Sequence, residues 1–240
     1  MIDEMLTAER ASTSLAPGAT SDIAADHVQK VIAALQALDL AAIQSVVSAL
    51  ESARAEGVTI FTLGNGGSAT TATHFACDLA KGTSAHGQRR MRAMAINDNL
   101  ALLTAWSNDV DYSSVYAEIL KNFVRVRDVV VAISTSGNSS NVLRAAELAR
   151  KRGATLIAFT GQSGGALRGL ADIWCPVTTN DAGEAEDVHL AICHAVTAAL
   201  RLSCQDDSQL GHARVSKDAP LVSGCMDDID PVSMVARRED

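Results

Sequence analysis

Five short apolar runs alternate along this chain with longer stretches whose apolar residues return every three or four positions. The runs cover residues 58–63, 91–96, 128–133, 155–159 and 172–177. Unbroken apolar runs of this length predict strands covered on both faces. Between them the spacing predicts helices over 68–81 (stopped by Gly82), from about Leu100 and Ser114, and over 139–152 (stopped by Gly153). A short helix to about Leu170 and a long one over 184–203 complete the series. The alternation specifies an α/β fold: a doubly wound, five-stranded parallel sheet flanked by helices. Ahead of it lies an N-terminal helical segment, with Val28, Ile32, Leu35 and Leu38 followed by Ile43, Val46, Val47 and Leu50. Asp39 is placed to cap a second helix there, giving either a helical hairpin or one bent helix. Residues 1–25 are rich in Ala, Ser and Thr and read as a flexible lead-in, and 26–204 as the folded domain. Residues 205–240 are polar, acidic and aperiodic, the pattern of a disordered tail, with a partner-binding peptide as the second reading.

Two strand-to-helix junctions share an unusual composition. The first is Gly64-Asn65-Gly66-Gly67-Ser68, and the second is Ser134-Thr135-Ser136-Gly137-Asn138-Ser139. A strand, a glycine turn and a helix N-terminus together make an anion site, because the first N–H groups of the helix lack partners and its dipole points positive outward. Glycine alone is explained by a tight turn. Asn65, Ser68 and a second hydroxyl-rich turn together point to a small phosphorylated ligand. Gly161 to Gly165 is either a third such loop or a plain connection. In doubly wound sheets ligands bind beyond the carboxyl ends of the strands, where these turns fall.

The formal net charge of −8, without any basic stretch, argues against nucleic-acid binding. No apolar stretch is long enough to span a bilayer, and the N-terminus lacks the pattern of a signal peptide, so no membrane association is expected. Five cysteines without paired spacing fit free thiols and a cytoplasmic location.

His74 and Asp78 lie at i and i+4 of a predicted helix and so share a face. That pairing suits either a zinc site or an acid–base pair. Cys77, between them, is expected to line the core, as is Cys193. Glu186 and His194 are eight residues apart, ~12 Å along an ideal helix, so both reach one metal only if Glu186 precedes the helix or a neighbouring subunit supplies one of them. His189 competes with them on helical spacing, but reads best as a packing histidine or one supporting the site from behind. His27, His86 and His212 read as surface residues. Asp98 follows a strand end and is either a ligand contact or a helix cap.

Three segments together resemble the sugar isomerase (SIS) domain: Gly-Asn-Gly-Gly-Ser-Ala from Gly64 with His74-Phe-Ala behind it, Ser-Thr-Ser-Gly-Asn-Ser from Ser134, and Thr-Gly-x-x-Gly-Gly from Thr160. The likeness spans about residues 27–202, and the first segment is narrower, selecting the phosphoheptose isomerase group. The resemblance implies an aldose–ketose isomerase acting on a phosphosugar, sedoheptulose 7-phosphate first. It also implies a phosphate pocket at Ser68, Ser134, Thr135, Ser136 and Ser139. Sugar contacts are implied at Asn65 and Asp98, with Gly66 and Gly67 in the same loop. The general base falls on Asp78 and the general acid on His194, and one zinc per subunit is implied on His74, Asp78, Glu186 and His194. It implies a homotetramer with active sites between subunits. Two positions depart from the family, Asp78 standing for glutamate and Glu186 for glutamine. Asp is one methylene shorter, which leaves a base less reach, whereas Glu186 adds a charge to a metal or sugar pocket. A non-catalytic phosphosugar-binding regulator of the same fold and an isomerase of another ketose phosphate are the alternatives.

Overall fold

The computed structural model describes residues 19–214, with side chains described for 22–203. Five parallel strands, β1 (Thr59–Gly64), β2 (Arg92–Ala95), β3 (Val129–Ser134), β4 (Thr155–Thr160) and β5 (Ile173–Pro176), form one sheet in the order β2-β1-β3-β4-β5. The strand order turns back between β1 and β3, which makes their carboxyl ends the switch point of the sheet. Register places Gly64 opposite Ile133 there, so the two glycine turns emerge side by side.

Alternate strand residues enter opposite cores, as the two-residue period of a strand requires. Ile60, Val129, Val131, Ile133, Ile157 and Phe159 face α1 (Ala19–Gln36), α2 (Leu40–Glu56), α3 (Gly67–Cys77) and α8 (Ala182–Arg214). Phe61, Leu63, Val130, Ala132, Leu156 and Ala158 face α4 (Leu100–Asp109), α5 (Val115–Phe123), α6 (Ser140–Lys151) and α7 (Gly165–Arg168). This is the doubly wound arrangement expected from the continuous apolar runs. Asp39 caps α2 by accepting from Ala41 N at 2.9 Å and Ala42 N at 3.1 Å. The two N-terminal helices are separated by a break at residues 37–39 and bent by 69° there, so they form neither a hairpin nor one unbroken bent helix.

The helix boundaries differ from the sequence reading at both ends. α1 already begins at Ala19, inside the expected lead-in, and residues 1–18 lie outside the described residues. α8 runs on to Arg214, into the expected tail, of which 215–240 lie outside the described residues, as does the side chain of His212. The 68–81 helix also has an internal change: α3 ends at Cys77 and passes directly into a π-helical turn over Asp78–Gly82. Arg201 of α8 closes that turn by donating from Nε to Gly82 O at 2.9 Å. No single helix among the described residues is long and apolar enough to cross a membrane.

Candidate functional site

The hydroxyl-rich turns lie together at the switch point. Gly64 has no room for a side chain, since a Cβ would lie 2.7 Å from Ser68 O and 2.9 Å from Ile133 O. That crowding holds the start of α3 against β3. Ser68 and Ser134 are each 5% exposed, Thr135 and Ser139 are half-buried, and Ser136 is exposed. Ser134 Oγ and Ser139 Oγ are 3.3 Å apart. Neither α3 nor α6 is capped by the side chain of its N-cap residue, Gly66 or Ser139. Their first N–H groups are therefore left for an outside acceptor.

The third glycine loop does not open as a further ligand loop. It buttresses the second one. A Cβ on Gly137 would lie 2.0 Å from Gly164 O, and one on Gly165 would lie 2.5 Å from Ser136 O. Leu167 N donates to Gly137 O at 3.0 Å, and Ala166 N to Asn138 Oδ1 at 2.9 Å.

Asn65 bridges the first two turns. Its amide pairs head to head with Asn141 of α6, donating from Nδ2 to Asn141 Oδ1 at 2.8 Å and accepting from Asn141 Nδ2 at 2.9 Å. The hydroxyls of Tyr112 (2.8 Å) and Tyr116 (3.1 Å) also meet Asn65 Oδ1. Sequence reasoning missed all three partners. Asn141 lies two residues past the hydroxyl motif and could have been included in it. Tyr112 sits on the loop between α4 and α5 and carries no local signal.

Beside the turns, two helices bring together the chemistry-bearing side chains. His74 Nε2 of α3 and His194 Nε2 of α8 are 3.0 Å apart, with their rings edge-on at 64°. Asp78 Oδ2 lies 3.5 Å from His74 Nε2 and 3.9 Å from His194 Nε2. The group is reachable, with half of each imidazole exposed (47% and 52%). Asp78 enters it as the first residue of the π turn, a backbone irregularity often found at functional sites. Asp98 adjoins the same helix, accepting from Thr73 Oγ1 at 2.5 Å. It lines a cleft of about 460 Å³ with Thr73, His74 and Asn97. Asp98 is no helix cap. That task falls to Asn99, which accepts from Leu102 N at 3.0 Å.

Glu186 does not join the histidine group. It lies within α8, two turns before His194, as the eight-residue spacing warned. Its carboxylate rests against Gly67 instead, where a Cβ would lie 2.0 Å from Oε2. Glu186 therefore faces the head of α3. His189 is a buried packing residue, not a ligand. It is fully buried, stacks on Phe159 and contacts Thr160 O through Nε2 at 3.2 Å. Burial lowers its pKa to about 4, against a small opposing effect of the Thr160 carbonyl. Cys193 is buried as expected, but Cys77 is exposed, because position i+3 shares the outward face of His74. His86 is exposed, whereas His27 is only half-exposed. A second set, His27, Asp181 and Glu184, is engaged by residues outside it: His27 pairs with Asp187 at 3.0 Å, and Glu184 accepts from Thr179 Oγ1.

Comparison with known proteins places this geometry. The family model of the SIS domain matches residues 25–161. A phosphoheptose isomerase of Mycobacterium tuberculosis is 43% identical over 141 residues, 59% of this chain and 71% of that one. One from Citrifermentans bemidjiense is 36% identical over 167 residues, 70% of this chain and 86% of that one. The structure of a phosphoheptose isomerase from Francisella tularensis superposes with a TM-score of 0.70 at 27% identity, covering 76% of this chain and 96% of that one. With the paired glycine turns at the switch point of a five-stranded parallel sheet, the chain belongs to the SIS-domain family and, within it, to the phosphoheptose isomerases.

Proposed function

We propose that the protein converts sedoheptulose 7-phosphate to D-glycero-D-manno-heptose 7-phosphate through an enediol or enediolate. The observation that carries this reading is the convergence of His74, Asp78 and His194 at α3, the helix whose hydroxyl-lined head lies two turns before His74. The phosphate is held by Ser68, Ser134, Thr135, Ser136, Ser139 and the first N–H groups of α3 and α6. Asn65, Asp98 and Glu186 read the sugar, with Gly66 and Gly67 letting its backbone approach. Asp78 takes a proton from C1 of the ketose and returns it to C2. His194 gives a proton to O2 and takes the proton on O1 as the aldehyde forms, which restores both groups. A binding-only protein has no need for a carboxylate and two imidazoles in one cleft.

The donor set suits zinc. With ligand bonds of ~2.0–2.2 Å, two donors of a tetrahedral ion stand roughly 3.3–3.5 Å apart. The distances here, 3.0, 3.5 and 3.9 Å, bracket that value. His74, Asp78 and His194 would hold the ion, one per chain, with a fourth position open. With the ion bound, His194 Nε2 would be a ligand and no longer a proton donor, and the ion would supply a Lewis acid on the sugar oxygens in place of that proton. Glu186 is assigned to the sugar and not to the metal.

The half-exposed imidazoles and the exposed apolar residues of α1 (Ile23, Val28 and Ile32) support a homotetramer whose subunits complete one another's sites. The buried thiols of Cys175 and Cys193 support a cytoplasmic enzyme. The test is turnover of sedoheptulose 7-phosphate in deuterium oxide. Deuterium at C2 of the aldose product is expected, and its absence with every ketose phosphate offered would remove the enzymatic reading and leave a phosphosugar-binding protein.

A further inference from the structure

The amide of Asn65 is held by more partners than its place in a loop requires. Its oxygen has two lone pairs, and they are met by Asn141 Nδ2 at 2.9 Å and Tyr112 OH at 2.8 Å. Tyr116 also faces that oxygen, but its single proton goes to the neighbouring carbonyl, Gly64 O. One N–H of Asn65 is given to Asn141 Oδ1 at 2.8 Å. Asn141 cannot turn over, because the same Oδ1 accepts from Val142 N at 2.9 Å. The orientation of the Asn65 amide is thereby decided. Its oxygen is fully occupied, and one N–H remains for a ligand. In that orientation Asn65 offers the sugar a donor and never an acceptor.

Tyr112 is the exposed member of this set. It is 52% exposed, and its loop is anchored at the adjacent residue. Asp111 accepts from Ser113 Oγ, from Ser114 Oγ at 2.9 Å and from Arg144 Nη1 at 3.3 Å. These hydrogen bonds, followed by the Arg144 guanidinium, hold the Asp111 carboxyl below the usual carboxylate range. Arg144 lies three residues past Asn141 on α6, so one helix face holds both the amide pair and the tyrosine loop.

We propose that Tyr112 is a positioning residue of the isomerase: by taking the second lone pair of Asn65 Oδ1 from a loop clamped through Asp111 and Arg144, it pins in place the amide that Asn141 has oriented and leaves only its free N–H for an oxygen of the sugar. The proposal rests on the function proposed above, in which Asn65 reads the sugar and the hydroxyl turns hold the phosphate.

The test is Tyr112→Phe, alone and combined with Asn65→Ala, read by kcat/KM for sedoheptulose 7-phosphate and by calorimetric Kd for the same sugar phosphate. Competition by inorganic phosphate, which engages the hydroxyl turns alone, is the control. Loss of one positioned hydrogen bond predicts roughly a five- to tenfold loss in kcat/KM and in sugar-phosphate affinity. Inhibition by inorganic phosphate should stay within twofold. In the Asn65→Ala background, where the tyrosine has nothing left to pin, its removal should cost less than twofold in Kd. Such coupling is what a residue acting through Asn65 requires and what general loosening of the loop does not produce. The proposal is overturned by a single variant within twofold of the parent, by an undiminished loss in the Asn65→Ala background, or by an equal weakening of inorganic phosphate. A parent enzyme that neither turns over nor binds the sugar phosphate would overturn the functional reading, and this proposal with it. Any result on the variants alone bears on Tyr112 only.

Discussion

Gly137→Ala is the substitution whose cost the structure specifies most closely. Gly137 has φ 64°, and a Cβ there would lie 2.0 Å from Gly164 O and 2.5 Å from Gly164 C. Carbon and oxygen in ordinary contact stay near ~3.4 Å, so the two loops must part by more than about 1 Å. Parting breaks the bonds from Leu167 N to Gly137 O and from Ala166 N to Asn138 Oδ1. Each contributes ~1 kcal/mol net, and a left-handed alanine costs roughly 1–2 kcal/mol. The sum is about 3–4 kcal/mol, or roughly 6–16 °C in Tm for a chain of this size. Gly57→Ala is the matched control. Gly57 has φ 72° and ψ 23°, but the nearest atom to its Cβ is the mobile end of Arg89, at 2.9 Å. Only the backbone cost of about 1–2 kcal/mol applies there. Thermal melts at one protein concentration should therefore place Gly137→Ala well below Gly57→Ala. Calorimetry should find inorganic phosphate weakened only by the former, because Ser136 and Ser139 move with Gly137. Equal melting of the two variants would refute the buttress argument, since it would mean that Gly164 yields at no cost.

Metal content separates His194 from Glu186. His194→Ala should lose zinc by at least about tenfold in affinity, whereas Glu186→Ala should keep it, as measured by chelator competition and elemental analysis. Zinc retained by His194→Ala would refute the donor set. His189 has a folded pKa near 4 against 6.5 unfolded, so the unfolded chain binds the extra proton. Its contribution is complete above pH 6.5 and is lost as pH falls towards 4, at up to about 1.4 kcal/mol per pH unit. His189→Phe should flatten that limb in pH-dependent denaturant titrations, and an unchanged slope would show that another group carries the acid loss. Among Cys77, Cys175 and Cys193, only Cys77 should react with a thiol reagent in the folded protein, as located by peptide mass spectrometry. Burial raises the thiol pKa of Cys175 to about 12 and that of Cys193 further. Labelling of either before unfolding would contradict the packing of α8 on the sheet.

The parts of this molecule that sequence made legible are those in which cause and effect lie within a few residues. Apolar runs such as 129–133 can be satisfied only by cover on both faces, so the doubly wound sheet follows from their continuity. The glycine turns likewise announce themselves, because Gly64 and Gly137 are required by backbones that approach within a Cβ radius. The misreadings fall where helices meet. Cys77 was assigned to the core, yet the spacing that aligns His74 with Asp78 also turns position 77 outward. Glu186 lies apart from the histidine group for a reason visible in the numbering: α8 starts at Ala182, and two turns of helix separate Glu186 from His194. The meeting of His74 with His194, 120 residues apart, has no local signal, and the family resemblance supplied it. Tyr112 lay beyond both kinds of reading, since a tyrosine in an interhelical loop has no pattern and matches no shared motif. Its hydroxyl becomes informative only when the lone pairs of Asn65 are counted. Local sequence thus places the groups proposed to bind the phosphate, whereas packing between distant elements decides which way each group proposed to meet the sugar is turned.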